Sequence, residues 1–360
     1  MKKIFSSLTI LFLLAMYCSA QDIHQSLFTQ SPLTVNPAMA GTTAWIRGLM
    51  SYRTQWRGVP VPYTTVSASF DEKIKKHWKQ ITPKTRTLLF KPNTEEGIGW
   101  GLNFYNDRAG DGQMNSMQVN GSLAYQVLMS REDMFAGGMQ VGFFQRSINY
   151  SGLNWESQYD INQANGFNTG ASSMENFSSH SFIRPDVGAG LLYSHKKNER
   201  YMRGNDQRDI QLGASILHLN KPKYSFFGTD ERLDTRMMIH GNALIGISNT
   251  NISLVPSVLY AKQGPNKELL VGSLVRYMLK EDSKYTGYVK GATIGIGGFY
   301  RNKDAFVAAA FVEIASYAIG VSYDINISKL KAATSGRGGL EITLRFLNPA
   351  PFLYTQASFH

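Results

Sequence analysis

The feature that most constrains this chain is a regular alternation of apolar and polar residues that returns many times along its length. Between Met117 and Met129 the odd positions carry Met, Val, Gly, Leu, Tyr, Val and Met, whereas the even positions begin Gln118, Asn120 and Ser122. A period of two is typical of a β-strand with one face in an apolar environment and the other in water. We therefore expect a chain built from such strands.

Followed along the whole chain, this alternation predicts fourteen strands. Each is long enough to cross a bilayer, which takes about 9–11 tilted residues. The tenth and twelfth differ from the others because both of their faces mix apolar and polar residues. The predicted strands cover residues 44–56, 62–71, 97–106, 116–129, 134–149, 185–195, 208–219, 235–248, 251–262, 268–279, 290–301, 304–315, 317–328 and 338–347.

Strand length and number favour an all-β fold, a transmembrane antiparallel β-barrel of about 14 strands with short periplasmic turns and longer surface loops. A soluble β-sandwich also has alternating strands, but it would have to bury all these apolar faces in one core. Charged residues make up 18% of the chain, below the roughly 25% of soluble domains. Tyrosines near predicted strand ends suit the boundary between lipid and water: Tyr52, Tyr193, Tyr260, Tyr277 and Tyr300.

The N-terminal region has the pattern of an export signal. Lys2 and Lys3 precede an apolar run from Ile4 to Met16, and small residues lead up to Ala20. This pattern predicts a signal peptide over residues 1–20, cleaved after export, and hence a location in the outer membrane. The single cysteine lies inside this peptide, so we expect neither disulfides nor thiolate metal sites in the mature chain.

Four parts of the chain are predicted: 1–20 as signal peptide, 21–43 as an N-terminal periplasmic leader or plug, 44–347 as barrel and 348–360 as C-terminal tail. Asn36-Pro37 favours a turn. Residues 21–43 therefore either fold back into the lumen as a plug or form a plain periplasmic leader, and the sequence leaves both open.

The connections between strands are uneven in length and charge. Strand parity places the long segment 149–184 at the cell surface and the segment 72–96 in the periplasm. The latter carries seven Lys and Arg against three Glu. It is either an ordinary solvated surface or a docking surface for a periplasmic partner.

Seven short motifs occur in a fixed order along the chain. They are Asn36-Pro37-Ala38, Tyr52-Arg53-Thr54-Gln55-Trp56, Asn106-Asp107-Arg108-Ala109-Gly110-Asp111-Gly112, Gln145-Arg146-Ser147, Pro185-Asp186, His218-Leu219-Asn220-Lys221-Pro222 and Ser322-Tyr323-Asp324. In order and approximate spacing this set resembles the PorP/SprF family of outer-membrane proteins of the type IX secretion system. The resemblance spans nearly all of the mature chain.

The resemblance implies an outer-membrane barrel that supports secretion or surface attachment of a partner adhesin or other cargo with a C-terminal sorting domain. In some members this is linked to gliding motility. The implied partners are this cargo, other periplasmic and outer-membrane components of the secretion system, and outer-membrane lipid. Without the resemblance, a passive pore or a hydrophobic-solute transporter fits equally well. A departure from the family is the tail after the last strand.

Two of the motifs permit structural and functional interpretations. Asn106 to Gly112 is predicted to be a surface loop in which Asp107, Arg108 and Asp111 pair. A calcium site is disfavoured there, because Ala109 stands where an oxygen ligand belongs. In the second motif, Arg53 and Gln55 are expected to point inward with Tyr52 and Trp56 at the membrane interface, which makes a wall network; the alternative is a cargo-binding group.

No catalytic or cofactor motif is present. The sequence lacks a Gly-x-Ser-x-Gly elbow, a His-Glu-x-x-His pair and a phosphate-binding Gly-x-x-x-x-Gly-Lys loop. His240 on a predicted inward face is the nearest candidate for a barrel lipase, and its alternative is a hydrogen bond within the lumen. We expect no enzyme activity, no cofactor, no metal and, despite the net charge of +11, no nucleic acid.

Overall fold

The structure is a computed structural model that describes residues 23–348 apart from several internal segments. The residues not described within that range are 57–60, 75–96, 111, 131, 151–152, 164–165, 169, 175–179, 198–204, 227, 281–290, 329–333 and 335. The predicted signal peptide, most of the charged segment 72–96 and the predicted tail after Asn348 lie outside the described residues.

The described residues contain fourteen antiparallel strands that close into one barrel. Each strand pairs with its neighbours in sequence, and the first pairs with the last, which confirms the predicted fold class. The strands are β1 (Ile46–Gln55), β2 (Tyr63–Ile74), β3 (Gly97–Ala109), β4 (Met114–Leu128), β5 (Asp133–Ser147), β6 (Ser181–Lys197), β7 (Arg208–Leu217), β8 (Arg236–Gly246), β9 (Ile252–Gln263), β10 (Asn266–Lys280), β11 (Ala292–Arg301), β12 (Ala305–Ile314), β13 (Tyr317–Asn326) and β14 (Arg337–Asn348).

Closure depends on the seam between β1 and β14. Their register runs without interruption from Ile46 opposite Asn348 to Gln55 opposite Gly339. A closed sheet has no edge strand, so the backbone N–H and C=O groups of the wall find partners within the sheet. This is the condition that a wall surrounded by hydrocarbon must meet.

Two ends of the barrel are distinguished below. The terminal end is the one at which β1 begins and β14 ends, and the loop end is the opposite one. The loop end carries the connection of residues 148–180 between β5 and β6 and that of residues 218–235 between β7 and β8.

The outer face of the wall is apolar. Leu123 and Met139, which pair across β4 and β5, are each 61% exposed. Exposed tyrosines flank this band on both sides. Tyr125, Tyr277 and Tyr317 lie towards the terminal end, whereas Tyr52, Tyr300 and Tyr323 lie towards the loop end. Such paired aromatic girdles are typical of membrane-spanning barrels. Of the tyrosines expected at the boundary, Tyr193 and Tyr260 are only partly exposed.

The largest apolar cluster lies inside the barrel. Leu27, Phe28 and Val35 from the N-terminal segment pack against inward-facing side chains of β7 to β12, among them Leu270 and Val307. The middle parts of the inner faces of β10 and β12 are apolar for this reason, whereas Glu268, Arg276 and Glu313 lie nearer the strand ends. Their mixed sequence pattern is explained by the same contact, since these strands meet lipid on one side and a packed core on the other.

Most strand boundaries differ from the sequence prediction by one to three residues, and two differences move predicted surface-loop residues into strands. β6 begins at Ser181 rather than at residue 185, because its pairing with β5 continues to Ser147 opposite Ser181. β3 ends at Ala109 rather than at residue 106, because Arg108 is still paired with Thr64 and Asn115 on its two neighbours.

Helices are few and short. A four-residue helix, α1 (Pro32–Val35), lies between 3-10 turns at Phe28–Gln30 and Pro37–Met39, and a further 3-10 turn covers Glu156–Gln158. Among the described residues, no helix has the length and apolar character needed to cross a membrane.

The apolar outer band predicts that the cost of a charged substitution depends on how deep the residue lies in the membrane. Leu123→Arg, near the middle of β4, is expected to lower the free energy of unfolding by about 2–4 kcal/mol, because it places a charge near the bilayer midplane. Met129→Arg, in the turn that follows β4, is expected to cost about 0–1 kcal/mol. Urea titration of the barrel in lipid vesicles measures both, and equal costs at the two positions would contradict the membrane placement.

Candidate functional site

The lumen of the barrel is occupied by residues 23–43, called here the lumen segment. At the loop end, Arg236 Nη1 donates to the Ile23 carbonyl oxygen at 3.0 Å. At the terminal end, Arg47 Nη2 donates to the Met39 carbonyl oxygen, also at 3.0 Å. The segment therefore runs through the barrel from the loop end to the terminal end before β1 begins.

A buried ionic cluster holds the first part of this segment. Arg53 Nη2 lies 2.8 Å from Asp324 Oδ2, and Arg53 Nη1 lies 3.0 Å from Glu341 Oε2. Arg301 Nη1 contacts the same Asp324 oxygen at 3.1 Å, and Arg301 Nε lies 3.4 Å from Glu268. All five side chains are nearly inaccessible to solvent. Each charge in the cluster faces an opposite charge, as burial requires.

Ser26 joins the lumen segment to this cluster. Its hydroxyl donates to Asp324 Oδ1 at 2.6 Å and accepts hydrogen bonds from Arg53 and from Arg301, the latter at 2.8 Å. Its backbone N–H donates to Glu341 Oε2 at 2.8 Å. One small polar residue thus contacts four charged side chains of the wall.

The Asn36-Pro37 motif anchors the middle of the segment. Asn36 is fully buried, and its Nδ2 donates to the Leu191 carbonyl oxygen at 2.9 Å while its Oδ1 accepts from the Ala38 N–H at 2.9 Å. The same Nδ2 lies 3.0 Å from His240 Nε2. Because an amide nitrogen only donates, Nε2 of His240 is the acceptor in this contact. The histidine on the inward face therefore binds the lumen segment.

A set of inward glycines makes room for the segment. A Cβ at Gly190 would lie 2.0 Å from Asn36 Oδ1, and one at Gly138 would lie 2.5 Å from the Ala38 backbone. Gly99 similarly faces the Ala40 carbonyl oxygen at 2.0 Å. No real side chain tolerates such distances, so glycine is required where the backbone of the segment touches β3 and β5 and where the Asn36 side chain touches β6.

The end of the lumen segment is fixed by a second buried pair. Arg47 Nε lies 2.7 Å from Asp71 Oδ1, and Asp71 Oδ2 accepts the Gly41 N–H at 2.9 Å. The buried Gln126 side chain adds a bond to the Ala40 carbonyl oxygen at 3.0 Å. These contacts bind the segment to β1, β2 and β4 just before the chain enters the wall.

The second motif agrees only in part with its prediction. Arg53 is buried in the lumen and Tyr52 is exposed on the outer face, as expected from the alternation. Trp56, expected at the membrane interface, follows the end of β1 and lines a cavity of about 200 Å³ at the loop end together with Gln55. Tyr323 and Asp324 divide in the same way on β13, with Asp324 in the ionic cluster.

The third motif differs from its prediction. Asn106, Asp107 and Arg108 lie within β3 rather than in a loop, because the ladder to both neighbours continues to Ala109. Asp107 Oδ1 accepts a hydrogen bond from Thr65 Oγ1 at 2.6 Å, so it bonds across the sheet instead of within a loop. Asp111 lies outside the described residues.

Two further motifs meet at the loop end. Gln145 donates to Ser181, and the guanidinium of Arg146 lies 4.0 Å from the centroid of the Tyr224 ring. Tyr224 belongs to the 218–235 connection and packs with Phe144 and Phe182. This connection thus folds over the extended end of the β5–β6 hairpin.

The motif at His218 fastens the same connection to the wall. His218 Nδ1 lies 2.7 Å from Asp186 Oδ1, both buried, and Asn220 Nδ2 donates to the Pro185 carbonyl oxygen at 2.7 Å. On the exposed part of the connection, a hydrogen bond from Lys223 and the charges of Arg232 and Lys223 hold the pKa of Asp230 below its usual value.

The arrangement is suited to closing the lumen and to holding a fixed surface at each end. The lumen segment separates the 200 Å³ cavity at the loop end from one of about 240 Å³ at the terminal end. Among the described residues, no cluster of three His, Cys, Asp or Glu side chains is suited to bind a metal ion.

Several important residues were not singled out by the sequence motifs. Ser26, Arg301 and Glu341 complete the ionic cluster, and Gly138 and Gly190 accept the lumen segment. A sequence pattern could identify the glycines, since they recur on the polar face of alternating strands. No sequence pattern identifies the ionic cluster, because its members are far apart in the chain.

The buried cluster predicts that replacing Asp324 lowers the free energy of unfolding far more than replacing the exposed Asp230, although each aspartate pairs with two cations. Asp324→Ala is expected to lower the free energy of unfolding by about 3–5 kcal/mol, because it leaves Arg53 and Arg301 partly unpaired in the lumen. Asp230→Ala removes exposed pairs to Lys223 and Arg232 and is expected to leave the free energy of unfolding nearly unchanged, because exposed ion pairs contribute little to stability. Urea titration in vesicles measures both, and a small effect at Asp324 would contradict the cluster.

Removal of the lumen segment tests whether it closes the barrel. Deleting residues 24–40 is expected to produce steady conductance in a planar bilayer, because these residues fill the lumen. A matched deletion of residues 156–172 in the loop-end connection should leave conductance at the wild-type level. Retention of heat-modifiable mobility on gels shows that each variant folds. Unchanged conductance in a folded 24–40 deletion would contradict closure by the segment.

Comparison with known proteins identifies one family. Among solved structures, BamA from Haemophilus ducreyi lacking POTRA domains 1–3 matches with a TM-score of 0.38 and 9% identity over 85% of this chain and 70% of that one. A Pseudomonas aeruginosa FadL homologue matches with a TM-score of 0.42 and 11% identity over 86% of this chain and 91% of that one. No curated protein matches the chain. The family model described as type IX secretion system membrane protein PorP/SprF matches residues 17–346. The chain belongs to the PorP/SprF family of type IX secretion system membrane proteins.

Proposed function

We propose that this protein is an outer-membrane component of the type IX secretion system that supports secretion or surface attachment of a partner adhesin or cargo protein with a C-terminal sorting domain. The observation that carries the proposal is the family membership, which covers residues 17–346. Together with the predicted signal peptide, the apolar outer band and its tyrosine girdles support an outer-membrane location.

The orientation of the barrel follows from its connections. Outer-membrane barrels have short periplasmic turns and longer extracellular loops. The longest connection, residues 148–180, is at the loop end, which we assign to the cell surface. The terminal end, with both ends of the wall, faces the periplasm and the other components of the secretion system.

The filled lumen favours a role through surfaces over a role as a pore. Residues 23–43 are bound by ionic, polar and apolar contacts along the length of the barrel. A cargo chain would have to displace them to pass through this lumen. We therefore assign this barrel a role in holding cargo or secretion components at its two ends, rather than the alternative role of passive pore or hydrophobic-solute transporter.

In this proposal the barrel has no catalytic role. The inward His240, the sequence candidate for a barrel lipase, contacts Asn36 of the lumen segment at 3.0 Å. In this proposal His240 has a structural role, because its Nε2 accepts a hydrogen bond from the buried Asn36 amide. Lipase assays of the purified protein and of His240→Ala are expected to give the same background rate.

The cargo contact is expected at the 148–180 connection. Ile161 and Met174 there are 82% and 86% exposed, so a partner at the loop end can reach both side chains. A photo-crosslinking amino acid at either position should capture a secreted protein with a C-terminal sorting domain in intact cells. A deletion strain should lose the same protein from its surface proteome, and loss of gliding in that strain would connect the protein to motility.

Matched controls come from the outer band. Leu123 and Met139 are also exposed, but in the lipid-facing wall, so crosslinkers there should give no protein adduct with cargo. A deletion strain that keeps every exported adhesin on its surface, with no adduct at Ile161 or Met174, would overturn the proposed function.

A further inference from the structure

The cavity at the terminal end, called here the terminal cavity, has the features of a ligand site. It lies between the lumen segment and the inner wall and measures about 240 Å³. Small-molecule sites commonly measure about 300–1,000 Å³, so its size suits a small ligand. It is too small for a folded partner.

The inner part of the terminal cavity is apolar. It is lined by Phe28 and Val35 of the lumen segment and by Val255, Leu274 and Phe311 of the wall. Phe28, Val35 and Leu274 also belong to the packed cluster of the lumen. This part is therefore preformed, and an apolar group placed against it loses contact with water without rearranging the protein.

The part of the cavity nearer the terminal end carries two guanidinium groups that share one carboxylate. Glu313 Oε2 lies 3.2 Å from Arg276 Nη2 and 2.8 Å from Arg345 Nη2. An incoming group can reach these three side chains. The exposed fraction is 26% for Arg276, 23% for Glu313 and 20% for Arg345. Two positive charges against one negative charge leave this trio with a net charge of +1.

Arg276 has unused hydrogen-bonding capacity. Its Nε is buried without a hydrogen-bond partner among the described residues. Arg345 also donates to Gln30 Oε1 of the lumen segment at 3.3 Å. A guanidinium binds a carboxylate best through two parallel hydrogen bonds, and Arg276 has a donor left for one.

The remaining charged groups around the terminal cavity do not occupy this position. Arg47 is already paired with Asp71, at 2.7 Å. Asp209 lies on β7, three strands from Arg276 on β10 in the order of the barrel. The positive charge is thus confined to the wall made by β10, β12 and β14.

We propose that the terminal cavity binds a small amphiphile with an anionic carboxylate head and an apolar tail. The head contacts Arg276 and Arg345, and the tail packs between the lumen segment and Val255, Leu274 and Phe311. Because the lumen segment forms part of this site, a bound amphiphile adds contacts that hold the segment in the lumen. The inference is independent of the secretion role, since it concerns a different surface and a different ligand.

Octanoate is a suitable probe of this site. Titration calorimetry with the full mature protein in lipid nanodiscs should show saturable octanoate binding, after subtraction of the heat of partition into empty nanodiscs. Octan-1-ol tests the tail alone, and acetate tests the head alone. Both are expected to bind about tenfold more weakly than octanoate or worse, because each lacks one of the two contacts.

Variants test separately how the charge and the shape of the site contribute to octanoate binding. Arg276→Gln is expected to weaken octanoate binding about tenfold or more, as loss of a charged hydrogen bond implies, and Arg276→Lys should recover part of it. Val255→Trp should abolish binding by filling the cavity while all charges stay in place. Arg208→Gln is the matched control, since it removes an exposed cation at the terminal end of β7 outside the cavity.

Three results would overturn the inference. They are equal binding of octanol and octanoate, unchanged octanoate binding in folded Arg276→Gln, and no heat above partition into empty nanodiscs. Heat-modifiable mobility on gels identifies the variants that fold. Where Arg276→Gln fails to fold, Val255→Trp and the octanol comparison on the wild-type protein decide the question.

Discussion

The constraint on which this structure depends is the pairing of every backbone group in a wall that faces hydrocarbon. An unpaired N–H or C=O costs several kcal/mol there, so the sheet must close, and the unbroken β1–β14 seam closes it. Closure with fourteen strands has a second effect. Eight strands leave a lumen that side chains can fill, whereas sixteen or more leave a channel. A barrel of intermediate size needs additional material in its lumen, and residues 23–43 supply it.

The wall could be predicted from the sequence because its period of two is a local property. Every strand was found, and most boundaries agree within two or three residues. The exceptions have physical reasons. β10 and β12 have an unclear pattern because their inner faces pack on Leu27, Phe28 and Val35 rather than on water. The sequence places the start of β6 too late, because polar Ser181 on the outer face and apolar Phe182 on the inner face break its alternation although the pairing with β5 continues.

The interior could be predicted only in part. Motifs pointed to Arg53, Asn36 and Asp324, and all three are buried contacts of the lumen segment. Their partners were not found, because Ser26 and Asp324 are 298 positions apart in the chain and no local pattern links them. Glycines recur on the polar face of the alternating strands, but the sequence does not show what they contact. In the structure, Gly138 admits the backbone of the lumen segment and Gly190 admits its Asn36 side chain.

The path of the lumen segment limits the order in which the protein can be assembled. Ile23 is held at one end of the barrel and Met39 at the other, and the chain between them is enclosed by the wall. Drawing this stretch through a finished cylinder would require breaking and remaking its buried hydrogen bonds to the wall one after another. The direct route is for the growing sheet to wrap around it, with the β1–β14 seam joined last. In that order of assembly, residues 23–43 form the core around which the sheet closes. They then determine the curvature of the sheet before the barrel is complete.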